Sequence, residues 1–274
     1  MIYKILEKEF SPKYDIDEKA WKGKHPYGIS GCFRLRNESE FMESSILSHL
    51  PYLDEIVLAV QPSDDSMVEI AQKLAEKHSK IKIFQYPVPT HFIDHPDFRI
   101  DPINSIYSFV YFSNWALSKC SYSWIAKTEG DVICLSSFKE IVDQIKKEPN
   151  VTRYYGRYIL NVAGIKCDKI SLEKPRNHGL DEAVFNNNPD LYHFEQGGKW
   201  EVVNAHDVKY NGFSALHMKR CKKKYEGSGF EAEHWVPFTP ESVKKALFAY
   251  NSNVARYRGP DNPLGPDCLF EIKL

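Results

Sequence analysis

The sequence predicts an α/β fold built on a mixed, mainly parallel sheet flanked by helices. Two observations carry this reading. Apolar runs at 27–35, 53–60, 81–84 and from 124 onward alternate with stretches of helical spacing, the rhythm of strands joined by right-handed crossovers. The second run, Ile56-Val57-Leu58-Ala59-Val60, is unbroken, as expected of a strand covered on both faces.

The elements follow in order. A polar lead-in (7–25) precedes the first strand, and Arg36-Asn37-Glu38-Ser39 follows it. Residues 40–49 have helical spacing, with Asn37 or Ser39 as its cap and acids at the positive end of its dipole. Pro62-Ser63-Asp64-Asp65-Ser66 ends the second strand, and 68–78 is an amphipathic helix leading to the third. Residues 87–101 form a Pro- and His-containing loop, longer than most connections. An aromatic helix at 104–119 leads into the fourth strand, which ends in Thr128-Glu129-Gly130-Asp131. Beyond it the expectations are a strand at 154–162 and a helix at 240–250, in a single domain of 1–274. The loops at 36–39, 62–66 and 129–131 lie at carboxyl ends of strands, where open α/β sheets bind ligands.

Composition narrows the function. With 42% hydrophobic and 27% charged residues and a formal net charge of -1, the chain lacks the basic footprint of a nucleic-acid binder. The dense basic run at 219–224 reads as a solvated helix face, with a phosphate or membrane-surface role left open. Cys32, Cys120, Cys134, Cys167, Cys221 and Cys268 have no C-x-x-C spacing, so reduced core thiols in a cytosolic protein are the expectation. No signal peptide or membrane span is read, which places the expected protein in the cytoplasm, with peripheral contact at the inner membrane face left open.

Carboxylates stranded after an apolar strand are costly unless they meet water, a partner or a metal. Glu129 and Asp131 flank a residue without a side chain and could address one cation; a solvated Gly turn fits the triplet equally well.

Residues 28–135 resemble family-2-type glycosyltransferases of the GT-A (Rossmann-like) fold, which use nucleotide sugars. Arg36-Asn37-Glu38 matches their R-N-E after the first strand. The segment from Asp54 to Ala71 aligns without a gap with D-E-I-V-V-V-D-S-G-S-T-D-G-T-V-E-I-A, and Ser113-Asn114-Trp115-Ala116-Leu117 followed by Trp124-Ile125 through Glu129-Gly130-Asp131 resembles R-N-x-A-L before W-I-L-x-x-D-x-D. The departures are Val60 where an acid near the nucleobase is common, Ser113 for a basic residue, and Glu129 for the first Asp.

The resemblance implies a donor half at about 28–135 and an acceptor half with a C-terminal extension at about 136–274. It implies donor contacts from Arg36, Asn37, Glu38, Asp65, Glu129 and Asp131, and a Mn²⁺ or Mg²⁺ ion held by Asp131 with Glu129. A His from the C-terminal part would complete the metal set, with His217 preferred over His206 and His234. It also implies an acid pair at a helix start as the base; Asp181-Glu182 fits, with Glu195 and Asp207 as competitors. Trp200, Tyr210 and Trp235 are candidate sugar platforms. The implied activity is metal-dependent, inverting transfer to a glycan or lipid-linked acceptor in bacterial surface polysaccharide synthesis. The alternatives are a sugar-nucleotide pyrophosphorylase, which would carry a Gly-rich basic loop after the first strand, and a silent nucleotide- or glycan-binding module.

Overall fold

A computed structural model describes residues 3–92, 95–164, 166–167, 169–171, 182–197, 201–205, 208–225, 235–239 and 241–242. Strands β1 (Ile29–Leu35), β2 (Glu55–Val60), β3 (Ile81–Gln85) and β4 (Trp124–Thr128) pair in parallel in the order β3-β2-β1-β4. Their connections carry α2 (Met42–His49), α3 (Met67–Lys77) and α4 (Phe109–Leu117), after a four-residue α1 (Glu18–Trp21) in the N-terminal segment. After β4 come β5 (Val132–Cys134), α5 (Phe138–Lys147), β6 (Tyr154–Ala163), β7 (Lys169–Ser171) and β8 (Ala183–Asn186). A hairpin of β9 (Phe194–Gln196) and β10 (Glu201–Val203), the long β11 (Val208–Arg220) and β12 (Trp235–Pro237) complete the described strands. The sheet runs β12-β7-β6-β8-β4-β1-β2-β3, with β11 parallel to β6 and antiparallel to β5. It is the mixed α/β sheet flanked by helices that the sequence predicts.

Strand periodicity sorts the core. Cys32, Val57, Ala59 and Ile125 face α4 and the N-terminal segment, whereas Phe33, Leu35, Leu58 and Ala126 face α2, α3 and α5. The lead-in is therefore not merely polar. Ile5, Ile16 and Trp21 are buried in the first cluster, and the Trp21 indole N–H donates to Asn187 Oδ1 at 3.0 Å.

Several expectations are corrected. Asn37 and Ser39 do not cap α2; its N-cap is Phe41, without a side-chain bond. The aromatic helix starts at Phe109 rather than 104, because Glu7 accepts from Ser105 Oγ and Ile106 N–H, and Ser108 Oγ caps the helix by accepting from Tyr111 N–H. The residues after Glu182 do not start a helix. They form β8, antiparallel to β4, and Ala183, Val184 and Phe185 are fully buried. A short apolar run cannot by itself distinguish a buried strand from a helix. The basic run at 219–224 is no helix face either: β11 runs through Arg220, and Lys222 is buried in the turn beyond. The amphipathic α5, which buries Phe138, Ile141, Val142 and Ile145, was not expected. The helix expected at 240–250 lies outside the described residues except at 241–242. The five cysteines described are free thiols. Among the described residues no helix is long and apolar enough to cross a membrane.

One buried acid fixes the start of the parallel sheet. Glu55 accepts from Ser30 Oγ (2.6 Å), Ser121 N–H (2.5 Å), Ser121 Oγ (2.6 Å) and Lys82 Nζ (2.7 Å). Burial pushes its pKa up, but Lys82 and the Ser121 and Ser30 donors outweigh that and hold it below the usual range. A folded pKa below the unfolded one stabilises fully above the unfolded value, about 4.3, and the gain is lost as pH falls through the folded value. Glu55→Gln should therefore cost about 1.5–3 kcal/mol at neutral pH. Denaturant titrations at descending pH should show the gap to the parent protein closing in the acid range.

Candidate metal and donor site

The turn after β4 is held from three sides. Ser45 Oγ, on the inner face of α2, lies 3.0 Å from the Glu129 carbonyl and 2.7 Å from that of Val132, and Ser48 Oγ accepts from Cys134 N–H. Glu182, fully buried at the head of β8, accepts the Glu129 N–H on Oε1 at 3.1 Å. From the far side β11 pairs antiparallel with β5, His217 opposite Val132, and Met218 N–H donates to the Asp131 carbonyl at 2.8 Å. Gly130 is required by close approach. A Cβ there would stand 2.9 Å from both Glu38 Cβ and Leu35 Cδ2.

This scaffold brings Glu129, Asp131 and His217 together, with one potential ligand atom from each within 4.8 Å of the others. His217 Nε2 lies 3.4 Å from Asp131 Oδ1 and 3.9 Å from Glu129 Oε2. Its Nδ1 faces Asn161 Oδ1 at 3.2 Å, across the β11–β6 pairing that sets these two residues side by side. With Nδ1 donating to that amide oxygen, Nε2 carries the lone pair, the orientation a metal-ligating imidazole requires. Nε2 is buried and makes no hydrogen bond among the described residues, although both carboxylates stand near it. Two carboxylates and one imidazole suit a hard or borderline divalent ion such as Mn²⁺ or Mg²⁺, and the unpartnered nitrogen aimed at two acids is what such a site leaves without its ion.

Lys222, which sequence reasoning missed, completes the cluster. Its ammonium contacts Asp131 Oδ2 at 2.6 Å and Glu38 Oε2 and Oε1 at 2.7 and 2.8 Å, with only 4% of the side chain exposed. The charges set the titration of all four groups. Burial raises the Asp131 pKa, yet the neighbouring His217 and Lys222 hold it far below the usual carboxylate range. Burial, then the Asp131 charge, push Glu38 up to about 7 against the pull of Lys222. For His217 and Lys222 burial disfavours the charged form, but the facing acids prevail and both are raised.

The remaining sequence candidates are placed as follows. Arg36 donates to the Thr90 carbonyl at 3.1 Å, which ties the loop after β1 to the one after β3. Asn37, at φ 55°, braces the Ser63–Asp65 loop: Asp64 N–H donates to its Oδ1 at 2.8 Å, and its own N–H donates to Ser63 Oγ at 3.2 Å. Both Asp65 oxygens accept backbone N–H groups, from Ser39 and from Met67, the first residue of α3. These bonds explain why the loop's polar residues do not cap α2. Glu195 lies on β9, bonded to His193 and Asn204, and Trp235 on β12. Asp181, Trp200, His206, Asp207 and His234 lie outside the described residues, as does the Tyr210 side chain.

The parallel β3-β2-β1-β4 half carries the acid turn at the carboxyl end of β4. No protein-family model matches the sequence, and no curated protein matches it. Among solved structures it is similar to TarS of S. aureus, at 12% identity and a TM-score of 0.46 over 85% of this chain and 46% of that one. It is also similar to TarS 1-349 in complex with UDP-GlcNAc, at 12% and 0.47 over 87% and 68%. A third is glucosyl-3-phosphoglycerate synthase from Mycobacterium tuberculosis in complex with Mn²⁺, UDP and glucosyl-3-phosphoglycerate, at 14% and 0.43 over 85% and 82%. The chain spans less than half of the first TarS structure.

Because the Gly130 Cβ position is filled by Leu35 and Glu38, Gly130→Ala should destabilise the protein by about 1–3 kcal/mol through overpacking. Thermal melts would measure it. A melting temperature equal to the parent's would show that the turn moves freely.

Proposed function

We propose that the protein is a metal-dependent, inverting glycosyltransferase that moves a sugar from a nucleotide donor to a glycan or lipid-linked acceptor. The observation that carries the reading is the buried, unpartnered Nε2 of His217 aimed at Glu129 and Asp131 beyond the carboxyl end of β4. In this reading Asp131, Glu129 and His217 hold a Mn²⁺ or Mg²⁺ ion. Bound there, a divalent ion supplies positive charge to the diphosphate as it leaves the anomeric carbon.

The chain's own residues do the rest. Asn161 fixes the His217 ring, and Glu182 fixes the Glu129 backbone. Arg36, Asn37, Glu38 and Asp65 shape the donor-side wall through the braces that join the loops after β1, β2 and β3. The acceptor hydroxyl attacks the anomeric carbon as the bond to the diphosphate breaks, and its proton passes to Asp181 of the Asp181-Glu182 pair, since Glu182 is buried and holds the Glu129 backbone. Glu182 is the member tied to the metal turn. The resemblance of 28–135 extends the reading to bacterial surface polysaccharide, with the enzyme in the cytoplasm or at the inner membrane face.

Asp131→Ala should abolish transfer and also the metal-dependent rise in melting temperature with nucleotide sugar, since a ligand that binds only the folded state stabilises it. A panel of nucleotide sugars, with and without EDTA, checks both. Full transfer in EDTA overturns the metal assignment, and donor binding with no turnover across the panel favours a silent binding module.

A further inference from the structure

The feature that the proposed chemistry leaves unused is the buried ammonium of Lys222. A lysine has three N–H donors, and here all three are taken by Asp131 Oδ2, Glu38 Oε1 and Glu38 Oε2, so none is left for a phosphate. The ammonium joins the turn after β11 to the loop after β1 and the turn after β4. It engages Oδ2 of Asp131, whereas Oδ1 is the oxygen nearer His217. Glu38, Glu129 and Asp131 bring three carboxylates to one corner, of which Asp131 is buried and Glu129 partly exposed, and Lys222 contacts Asp131 and Glu38.

We propose that Lys222 is the resident counter-ion of this site. It balances Asp131 and Glu38 in the metal-free protein, and so weakens the capture of a free divalent cation until a donor diphosphate brings further oxygens. The proposal rests on the metal reading above. Two facing carboxylates without a cation are costly in a buried site. Withdrawing the ammonium therefore raises the site's demand for another cation, and a divalent ion meets it. A lysine that served only to pack the turn would change stability on removal and leave metal affinity where it was.

The test is Mn²⁺ binding to the full chain without nucleotide, by calorimetry and by the Mn²⁺ spin-resonance signal, at about pH 8 where free carboxylates are ionised. Lys222→Met and Lys222→Gln should each bind Mn²⁺ at least about tenfold more tightly than the parent, a step of about 1.4 kcal/mol. Lys222→Arg, which keeps the charge, should stay within about threefold of the parent on the same scale. The glutamine variant retains N–H donors for the acids and serves where the methionine variant does not fold. Both should also gain more in melting temperature from Mn²⁺ than the parent does. Mn²⁺ bound by the parent and lost in Asp131→Asn, but equal or weaker in both neutral Lys222 variants, overturns the counter-ion proposal alone. No Mn²⁺ bound by the parent or by either neutral variant overturns it together with the metal reading.

Discussion

The site depends on one backbone register, the antiparallel pairing of β11 with β5 that sets His217 opposite Val132. The acid turn ends a strand of the N-terminal half, while the imidazole and the ammonium belong to a segment some ninety residues later. Between them the intervening strands β8 and β6 carry the sheet from β4 to β11. Side chains alternate across a strand, so a slip of one residue would turn His217 away from Asp131. The register is held by main-chain bonds at both ends, from Leu135 N–H to the Ser214 carbonyl and from Met218 N–H to the Asp131 carbonyl. The parallel pairing of β11 with β6 adds Asn161 behind the ring.

Electrostatics then sorts the groups that the register collects. Asp131 is buried yet far more acidic than a free carboxylate, because the cations beside it outweigh desolvation. Glu38, with the same lysine as partner, goes the other way, because burial and the neighbouring Asp131 charge prevail. Two acids that share one ammonium thus part in character, and the one joined to His217 keeps its charge most firmly. This division separates the carboxylate that faces His217 from the one in the loop after β1.

Much of the N-terminal half was legible in the sequence, because its strands are apolar runs broken at polar loops. The acid turn stood out because two carboxylates close the run of β4, whereas His217 was reached only through the resemblance to family-2-type glycosyltransferases, since a histidine in an apolar segment is by itself more often structural. Lys222 was hidden among Lys223, Lys224 and Arg220, where composition suggests solvent and only tertiary burial distinguishes one lysine from its neighbours. The segment Ala183–Asn186 misled because three buried residues in a row have no period to read. The polar residues at 37–39 looked like local caps, but their partners are the loop at 63–65, reached only once β1 and β2 lie side by side. Helix α5 could have been found: Phe138, Ile141, Val142 and Ile145 keep a regular helical spacing.

Ser45 gives the turn a property of a different kind. Its hydroxyl has one proton, yet two carbonyl oxygens, of Glu129 and Val132, stand within reach of it. The shorter contact is to Val132, and the Glu129 carbonyl also faces the Val132 N–H at 3.4 Å. One side chain of α2 therefore spans the acid-bearing turn and the start of β5, so that a shift of this helix would be felt at both.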